Sequence, residues 1–368
     1  MLTQTITPNL MSNQNPAQIY RHQFTNHESD PSPLGLAIEP PPWRKFSSKP
    51  THVSLSTVEA RAMEPDQVAK GRNYIADPEE AQLVNAALVL RRPLLITGQA
   101  GIGKTTLAYS VAWQLGLGNV LRWGVTSRST LKEALYHYDA LARLHDASLR
   151  KEGMAGAKLD FGDYFTLGPL GTALLPTGVP GYLPRVLLID EIDKSDADLP
   201  SDLLHVMEEG SFTIPEVARL PAAQKGKSVR VNSADPAMPK VEIPADGHIR
   251  CDDFPFIVMT SNGDRDFPPA FLRRCLQLVI PWERRSAQLD AIIRQHLGVS
   301  PNDDPAIAEL LRLFNERRAQ ADATLAIDQL LNAIFLARSR AEVSPLDHQG
   351  IKEAIFRSLS ETPQAPSL

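Results

Sequence analysis

Cysteine is scarce in this chain: its 368 residues include two, Cys251 and Cys275, which stand apart and have no histidine at metal-ligand spacing. A disulfide framework and a cysteine-based zinc site are therefore not expected. No apolar run approaches the length needed to span a bilayer, and residues 1–20 lack the basic segment and apolar core of a secretion signal. We therefore expect no membrane insertion and a cytoplasmic location.

A strong net charge is missing as well. The formal net charge is −5, and aromatic residues make up 6% of the chain. An acidic chain without an interleaved basic and aromatic stripe does not attract nucleic acid as a whole, so a nucleic-acid partner is not favoured. Lys225-Gly226-Lys227 and Arg230 keep a local basic patch open as the alternative.

Residues 1–66 have almost no periodic apolar pattern. They are rich in proline, serine, asparagine, glutamine and threonine, and they include Pro40-Pro41-Pro42. This composition predicts a disordered, proline-rich leader, because it offers too little apolar surface to form a core. Trp43 and Phe46, which stand beside basic residues, are the exception. They can dock on the folded body or on a neighbouring molecule, or they belong to a solvated linker.

The chain is organised around a glycine-rich stretch that follows an apolar strand at 93–97 and precedes a helix at 104–115. It fits the pattern G-x-x-x-x-G-K-S/T, in which backbone N–H groups surround a phosphate, the lysine reaches the β- and γ-phosphates, and the hydroxyl ligates Mg²⁺. A plain turn between strand and helix is the alternative, but the order strand, loop, helix favours a nucleotide site. The predicted binding residues are Gly98, Gln99, Ala100, Gly101, Ile102, Gly103, Lys104, Thr105 and Thr106.

Two acids follow a second apolar run, at 186–189. Asp190 and Glu191 come at the carboxyl end of this predicted strand, where ligands bind in open parallel sheets. Asp190 is expected to hold Mg²⁺ through its water shell, and Glu191 to polarise the water that attacks the γ-phosphate. A solvated acidic turn is the alternative for this stretch alone, but its combination with the glycine-rich loop favours the catalytic interpretation.

A third polar position follows the strand predicted at 254–260. Asn262 should lie beside Asp190, because we expect the two strands to be neighbours, and its side chain can hydrogen-bond the same water or the γ-phosphate. Arg273 and Arg274 come next, just before a strand predicted at 276–280. The rest of the chain has helical periodicity and predicts a small all-α domain, with helices at 283–296, 305–318, 327–337 and 349–359.

With these motifs in this order, the chain resembles the AAA+ ATPases, and within them the MoxR-like group, over about residues 70–340. The resemblance implies a P-loop NTPase α/β domain at 67–282 with a parallel sheet flanked by helices, a C-terminal all-α lid at 283–368, and the disordered leader at 1–66. The long intervals between Lys104, Asp190 and Asn262 leave room for inserts after the second helix and before sensor 1. The stretches that carry the resemblance are 98–105 (Walker A), 187–194 (Walker B), 260–262 (sensor 1) and 267–274 (arginine-finger segment).

The same resemblance implies an ATPase that uses ATP and Mg²⁺, with Thr105 and Asp190 at the metal and Glu191 and Asn262 in catalysis. It also implies a homo-oligomeric ring, usually hexameric, in which Arg274 or Arg273 reaches the neighbour's γ-phosphate. One departure is visible. The stretch 323–329, where the family's sensor 2 helix presents an arginine, has none, and Arg338 and Arg340 stand at the far end of that helix.

The leading hypothesis is an ATP-driven machine that remodels or matures a protein client whose identity the sequence does not give. A nucleic-acid motor of the restriction or translocase type shares the fold and remains an alternative. A nucleotide-switched signalling or defence ATPase is a further alternative, which an intact Glu191 disfavours. A simple P-loop kinase would need neither Asn262 nor the arginine-finger segment.

Overall fold

The computed structural model describes residues 19–21, 40–46, 62–151, 160–176, 184–220, 228–318 and 325–338. The protein has an α/β fold in which a mostly parallel central sheet is flanked by helices. In chain order the elements are α1 (Pro65–Arg72), α2 (Pro78–Leu90), β1 (Leu94–Thr97), α3 (Lys104–Gln114), β2 (Val120–Gly124), α4 (Leu131–Leu135), β3 (Tyr136–Tyr138), α5 (Ala140–Lys151), β4 (Phe165–Leu167), α6 (Pro169–Ala173), β5 (Val186–Asp190), α7 (Leu199–Glu209), β6 (Ser211–Thr213), α8 (Pro215–Ala218), β7 (Ser228–Asn232), β8 (Lys240–Pro244), β9 (His248–Arg250), β10 (Phe256–Ser261), α9 (Pro269–Leu272), β11 (Leu276–Val279), α10 (Trp282–Ser286), α11 (Leu289–Leu297), α12 (Pro305–Arg318) and α13 (Ile327–Arg338).

The central sheet has the strand order β11-β1-β10-β5-β2, and each of its four pairings is parallel. Every residue of β5 and β10 is buried, which explains why both strands read as continuous apolar runs in the sequence. The strand that leads to Asn262 therefore lies beside the strand that ends at Asp190, as predicted. Since all five strands run the same way, their carboxyl ends share one edge of the sheet.

Helices cover both faces of this sheet. Successive side chains of a strand point to opposite faces, so Leu94 and Ile96 of β1 pack with α2 and α3, whereas Leu95 belongs to the cluster that contains α6 and α7. Helix α2 begins with a capping box: the side chain of Asp77 accepts the N–H of Glu80 at 2.8 Å, and the Glu80 carboxylate accepts the N–H of Asp77 at 3.1 Å.

Two smaller sheets are formed by segments that lie, in sequence, between the strands of the central sheet. One has the order β3-β4-β7-β8, and the other pairs β6 with β9 in antiparallel fashion. The hairpin of β7 and β8 lies between Asp190 and Asn262, and β3 and β4 lie between Lys104 and Asp190, the two intervals in which the sequence leaves room for inserts. Lys225-Gly226-Lys227 lies outside the described residues.

The C-terminal helices α10–α13 have an apolar cluster of their own, to which Ile293, Leu310, Phe314 and Leu330 contribute. The single helix predicted at 283–296 is two helices here, α10 and α11, with the break at residues 287–288. Arg285 of α10 is buried and pairs with Glu80, which joins α10 to the start of α2. The helix predicted at 349–359 lies outside the described residues, and the domain boundaries at 66/67 and 282/283 stay predictions.

Three short stretches of the predicted leader are described, at 19–21, 40–46 and 62–66, and each contacts the folded body. The last of them includes the first two residues of α1, so the chain is helical before the end of the predicted leader. Tyr20 is buried and its hydroxyl lies 2.9 Å from that of Ser110 on α3. Phe46 stacks on Phe254 with ring centroids 5.4 Å apart, but Trp43 is 74% exposed. Of the two aromatic residues that the sequence singles out, Phe46 therefore docks and Trp43 faces solvent. The predicted disorder of 1–18, 22–39 and 47–61 concerns residues outside the described ones. Among the described residues no helix combines the length and the apolar character required to cross a bilayer.

Candidate functional site

The glycine-rich loop joins the carboxyl end of β1 to the first turn of α3. Gly103, the residue before α3, has a φ of +93°, and Gly101 has a φ of +73°, values that side chains with a Cβ rarely adopt. A Cβ on Gly101 would also lie 2.1 Å from the Cβ of Ala326. The sequence needs glycine at both positions, because the loop curls tightly and is approached closely by the residue before α13.

A cavity of about 460 Å³ opens at this loop, within the usual size range of ligand sites. Residues 100–106 line it together with Asp190, Glu191 and Asn262, so three strands that are distant in sequence contribute to one site. Gly98 and Gln99 do not line the cavity, but their carbonyl oxygens accept hydrogen bonds from Lys104, which does. Arg273 and Arg274 do not line the cavity.

Lys104 is the central cation of the site. Its Nζ donates to the carbonyl oxygens of Gly98 (2.7 Å) and Gln99 (2.8 Å) and to Oδ1 of Asn262 (2.8 Å). Burial lowers the pKa of Lys104, although the carboxylates of Asp193 and Asp190 act in the opposite direction. An anion bound in the cavity would favour the charged form of this ammonium further.

The carboxylate of Asp190 is buried and saturated with hydrogen bonds. Oδ1 accepts the hydroxyls of Thr105 (2.9 Å) and Thr260 (2.7 Å). Oδ2 accepts Nη2 (2.7 Å) and Nε (3.2 Å) of Arg122. The side chains that the sequence assigns to the metal, Thr105 and Asp190, are therefore direct neighbours.

These two residues suit Mg²⁺, since a hydroxyl and a carboxylate are the hard oxygen ligands that this ion prefers. Within the described ranges, no group of three or more His, Cys, Asp or Glu side chains could by itself hold a metal ion. A magnesium ion at Thr105 and Asp190 would therefore take its other ligands from phosphate oxygens and water, as Mg²⁺ usually does at nucleotide sites.

Glu191 adopts a backbone conformation that is unusual for its residue type. Its φ is +60°, in the left-handed region, and its N–H donates to the Thr260 hydroxyl at 2.9 Å. Such strain concentrates at functional sites. Its carboxylate is half-exposed at the cavity and forms an ion pair of 2.7 Å with Lys194. Glu191 thus combines access to solvent with a backbone fixed to the strand of Asn262.

Asp193 is a supporting residue to which the sequence argument assigned no role. Its Oδ2 accepts the backbone N–H of Asn262 at 2.8 Å, so it fixes the turn that carries the Asn262 side chain. Its own side chain is buried. The position of Asp193 shortly after the Asp190-Glu191 pair could have marked it in the sequence. Its contact with the end of β10, however, depends on the turn after β5.

The two candidate finger residues lie apart from the cavity of their own chain. Arg274 pairs through Nε with Oε1 of Glu208 on α7 at 2.5 Å, and its Nη1 donates to the carbonyl of Ala270 at 3.0 Å. Arg273 is exposed, and its carbonyl accepts Nη1 of Arg92 at 2.7 Å. Within one chain, neither arginine takes part in the site that contains Lys104.

Three other arginines surround the loop and were not identified from the sequence. Arg122 contacts Asp190, as described above. Arg285 lines the cavity and forms a buried ion pair of 2.8 Å with Glu80, a carboxyl whose pKa burial raises. Arg318, at the end of α12, stacks on Trp282 at 3.6 Å and donates to Oε1 of Gln99. Nothing in their local sequence marks them, since each reaches the site by tertiary approach.

The stretch 323–329 contains no arginine, but Arg318 reaches the phosphate loop from α12. Among the described residues, hydrogen bonds join the C-terminal helices to the loop between Arg318 and Gln99 and between the N–H of Ile327 and the carbonyl of Gly101, the latter at 3.1 Å. Arg338 instead donates to the carbonyl of Leu297 at 3.3 Å, and Arg340 lies outside the described residues.

Comparison with known proteins does not identify the chain. No protein-family model matches it, and no curated protein matches it. The interpretation of the site therefore depends on its own geometry.

Proposed function

We propose that this protein is an ATP-hydrolysing AAA+ machine of the MoxR-like group that remodels or matures a protein client. One observation carries the proposal: Lys104, Asp190, Glu191 and Asn262 converge on one cavity at the carboxyl edge of the sheet. They come from the loop after β1 and from the ends of β5 and β10, which are adjacent strands. A structural turn would not require a buried lysine, a strained acid and an amide to meet there.

Each residue has a distinct task in this proposal. Lys104 neutralises the β- and γ-phosphates, and Thr105 with Asp190 holds the metal. Glu191 orients the attacking water and accepts its proton, while Asn262 positions that water or the γ-phosphate. A bound Mg²⁺ would polarise the phosphate oxygens and offset their charge. The placement of Glu191 at the cavity favours hydrolysis over a slow nucleotide switch.

The helices α10–α13 act as the lid in this proposal. The contacts of Arg318 with Gln99 and of Ile327 with Gly101 support this, because they join the helices directly to the phosphate loop. A change in the conformation of the loop would therefore be transmitted to the helices, even though no arginine stands at the start of α13. The protein client remains favoured over nucleic acid on the acidic net charge alone.

The first test is hydrolysis by the unmodified chain. We expect phosphate release from ATP that requires Mg²⁺ and stops when EDTA is added, since Thr105 and Asp190 cannot organise the phosphates without the metal. A phosphate-release assay measures it, with equilibrium dialysis of labelled ATP as the binding readout. No detectable binding at millimolar ATP by folded protein would contradict the proposal.

The second test concerns the ring. Arg274→Ala should leave ATP affinity nearly unchanged and lower turnover about a hundredfold or more, because a finger supplies charge only to the neighbour's transition state. Its exposed pair with Glu208 is no obstacle to this role, since such pairs are worth about 1 kcal/mol or less. Arg273→Ala is the matched control and should retain most of the activity if Arg274 is the finger.

Mixing separates a role across an interface from a role within one chain. Arg274→Ala and Lys104→Ala proteins, each inactive alone, should recover activity together, because some interfaces then combine an intact loop with an intact finger. If the mixture stays inactive although the two proteins co-assemble, the finger assignment is wrong. Light scattering that finds only monomers with ATP and Mg²⁺ at micromolar protein would independently refute the role of Arg274 across an interface.

A further inference from the structure

Arg122 stands on the edge strand of the sheet, two positions before the residue that pairs with Asp190. In the parallel register of β2 and β5, Gly124 lies opposite Asp190 and Arg122 opposite Leu188. Side chains two positions apart on a strand share a face, so Arg122 and Gly124 face the same way. The position beside Asp190 thus has no side chain of its own.

The Arg122 side chain extends along the strand to Asp190. The space at Gly124 is open, since a Cβ there would meet nothing within 4 Å. The guanidinium of Arg122 reaches Oδ2 of Asp190 with two donors, at 2.7 and 3.2 Å. A single carboxylate oxygen therefore accepts both hydrogen bonds of this charge-assisted contact.

Exposure differs sharply between the two partners. The side chain of Arg122 is 58% exposed, whereas that of Asp190 is 8% exposed. A buried carboxylate is costly without a compensating charge, and Arg122 supplies that charge. Because Arg122 is on the solvent side of an edge strand, it can leave Asp190 through side-chain rotation, with no change of the backbone.

The other oxygen of Asp190 is next to the hydroxyl of Thr105, the second proposed metal residue. A divalent cation held by Thr105 and Asp190 and a guanidinium 2.7 Å from the same carboxylate are like charges within a few ångströms. They repel each other across this short distance. Each cation therefore weakens the interaction of the other with Asp190.

Building on the proposed function, we propose that Arg122 is a built-in competitor of Mg²⁺ at Asp190. Its guanidinium neutralises the carboxylate until a metal–nucleotide complex binds, and it then moves away towards the exposed edge of the sheet. Arg122 thereby sets how much Mg²⁺ the site requires. It is a positioning residue that acts through Asp190, and no bond to nucleotide is assigned to it.

The test compares Arg122→Gln with the unmodified chain in a titration with Mn²⁺, a probe that takes similar oxygen ligands. Free Mn²⁺ is followed by electron paramagnetic resonance with ADP at fixed concentration. Arg122→Gln should reach half-saturation at about two- to fivefold lower Mn²⁺, the change expected when a competing ion pair with one exposed partner is lost. Arg122→Lys, which keeps the charge but loses the two-donor contact, should lie between them.

Arg128→Gln is the matched control. Arg128 is an exposed arginine in the loop after β2, so its replacement changes the net charge equally at the same end of the sheet, and Mn²⁺ binding should stay unchanged. A second readout is thermal unfolding without nucleotide. Arg122→Gln should unfold at a lower temperature than the unmodified chain and regain stability when Mg²⁺ is added. A purely structural Arg122 would give the lower unfolding temperature without tighter Mn²⁺ binding.

Two failures are distinguishable. If the unmodified chain takes up Mn²⁺ with ADP and Arg122→Gln needs the same or more Mn²⁺, the competition is wrong while the nucleotide site stands. If the folded unmodified chain takes up no Mn²⁺ with ADP, the proposed function fails and the competition fails with it. Far-ultraviolet circular dichroism confirms that each variant is folded before titration.

Discussion

Lys104→Ala is expected to abolish ATP binding, with a loss of affinity of about a hundredfold or more. The ammonium group lies at the inner end of the loop and faces the cavity, where it would contact the β- and γ-phosphates. A hydrogen bond to a charged group is worth up to about 3 kcal/mol, which corresponds to roughly a hundredfold in affinity. Isothermal titration calorimetry with ATP and Mg²⁺ measures the change.

Lys104 also organises the loop itself. Its Nζ satisfies two loop carbonyls and the Asn262 amide oxygen, so Lys104→Ala leaves three acceptors without this donor. Part of the loss will therefore come from a loop that is less well ordered. Lys240→Ala is a suitable control, because Lys240 pairs with Asp163 at the surface and does not line the cavity. ATP affinity that is unchanged in Lys104→Ala would disprove the phosphate-loop assignment.

Glu191→Gln is expected to bind ATP normally and to hydrolyse it about a hundred to ten thousand times more slowly, the range for loss of a general base. Glutamine keeps the shape of the side chain but cannot accept the proton of the attacking water. The affinity for ATP should persist, because the Glu191 carboxylate pairs with Lys194 and not with a residue of the phosphate loop. Single-turnover hydrolysis measured beside equilibrium binding separates the two effects.

Lys194→Ala provides the control for Glu191→Gln. It removes the partner of the carboxylate and keeps the carboxylate, so turnover should change by no more than about fivefold, as expected for an exposed ion pair. Full turnover in Glu191→Gln would place the base elsewhere in the chain. If turnover is lost as expected, the variant becomes a trap: a client that co-purifies with its ATP-bound form can be identified directly.

Local patterns in the sequence predicted the elements that carry the site. The apolar run, the glycines and the helix start around Lys104 gave β1, the loop and α3 within a residue or two. These features depend on interactions over a few positions, so a short stretch is enough to specify them. The parallel neighbours β5 and β10 followed from two apolar runs that each end in polar residues.

Other features depend on contacts between distant segments and left no local signal. The break between α10 and α11 falls inside one periodic helical pattern, and Arg285 of α10 pairs with the distant Glu80. Arg318 reaches Gln99 from a helix 219 positions away in the chain, and the sequence offered no reason to connect them. Likewise, the intrachain pair of Arg274 with Glu208 depends on how α7 and α9 pack.

The sequence by itself therefore determined which residues are the candidates for binding phosphate, metal and water, because residue type and spacing within a motif carry that chemistry. Only the tertiary structure decided which charges meet at Asp190. The strand register places Arg122 on the strand beside Asp190, two positions before the residue opposite that carboxylate, and register is set by the burial of whole strands. A side chain on an edge strand cannot be assigned a partner until the neighbouring strand and its alignment are known.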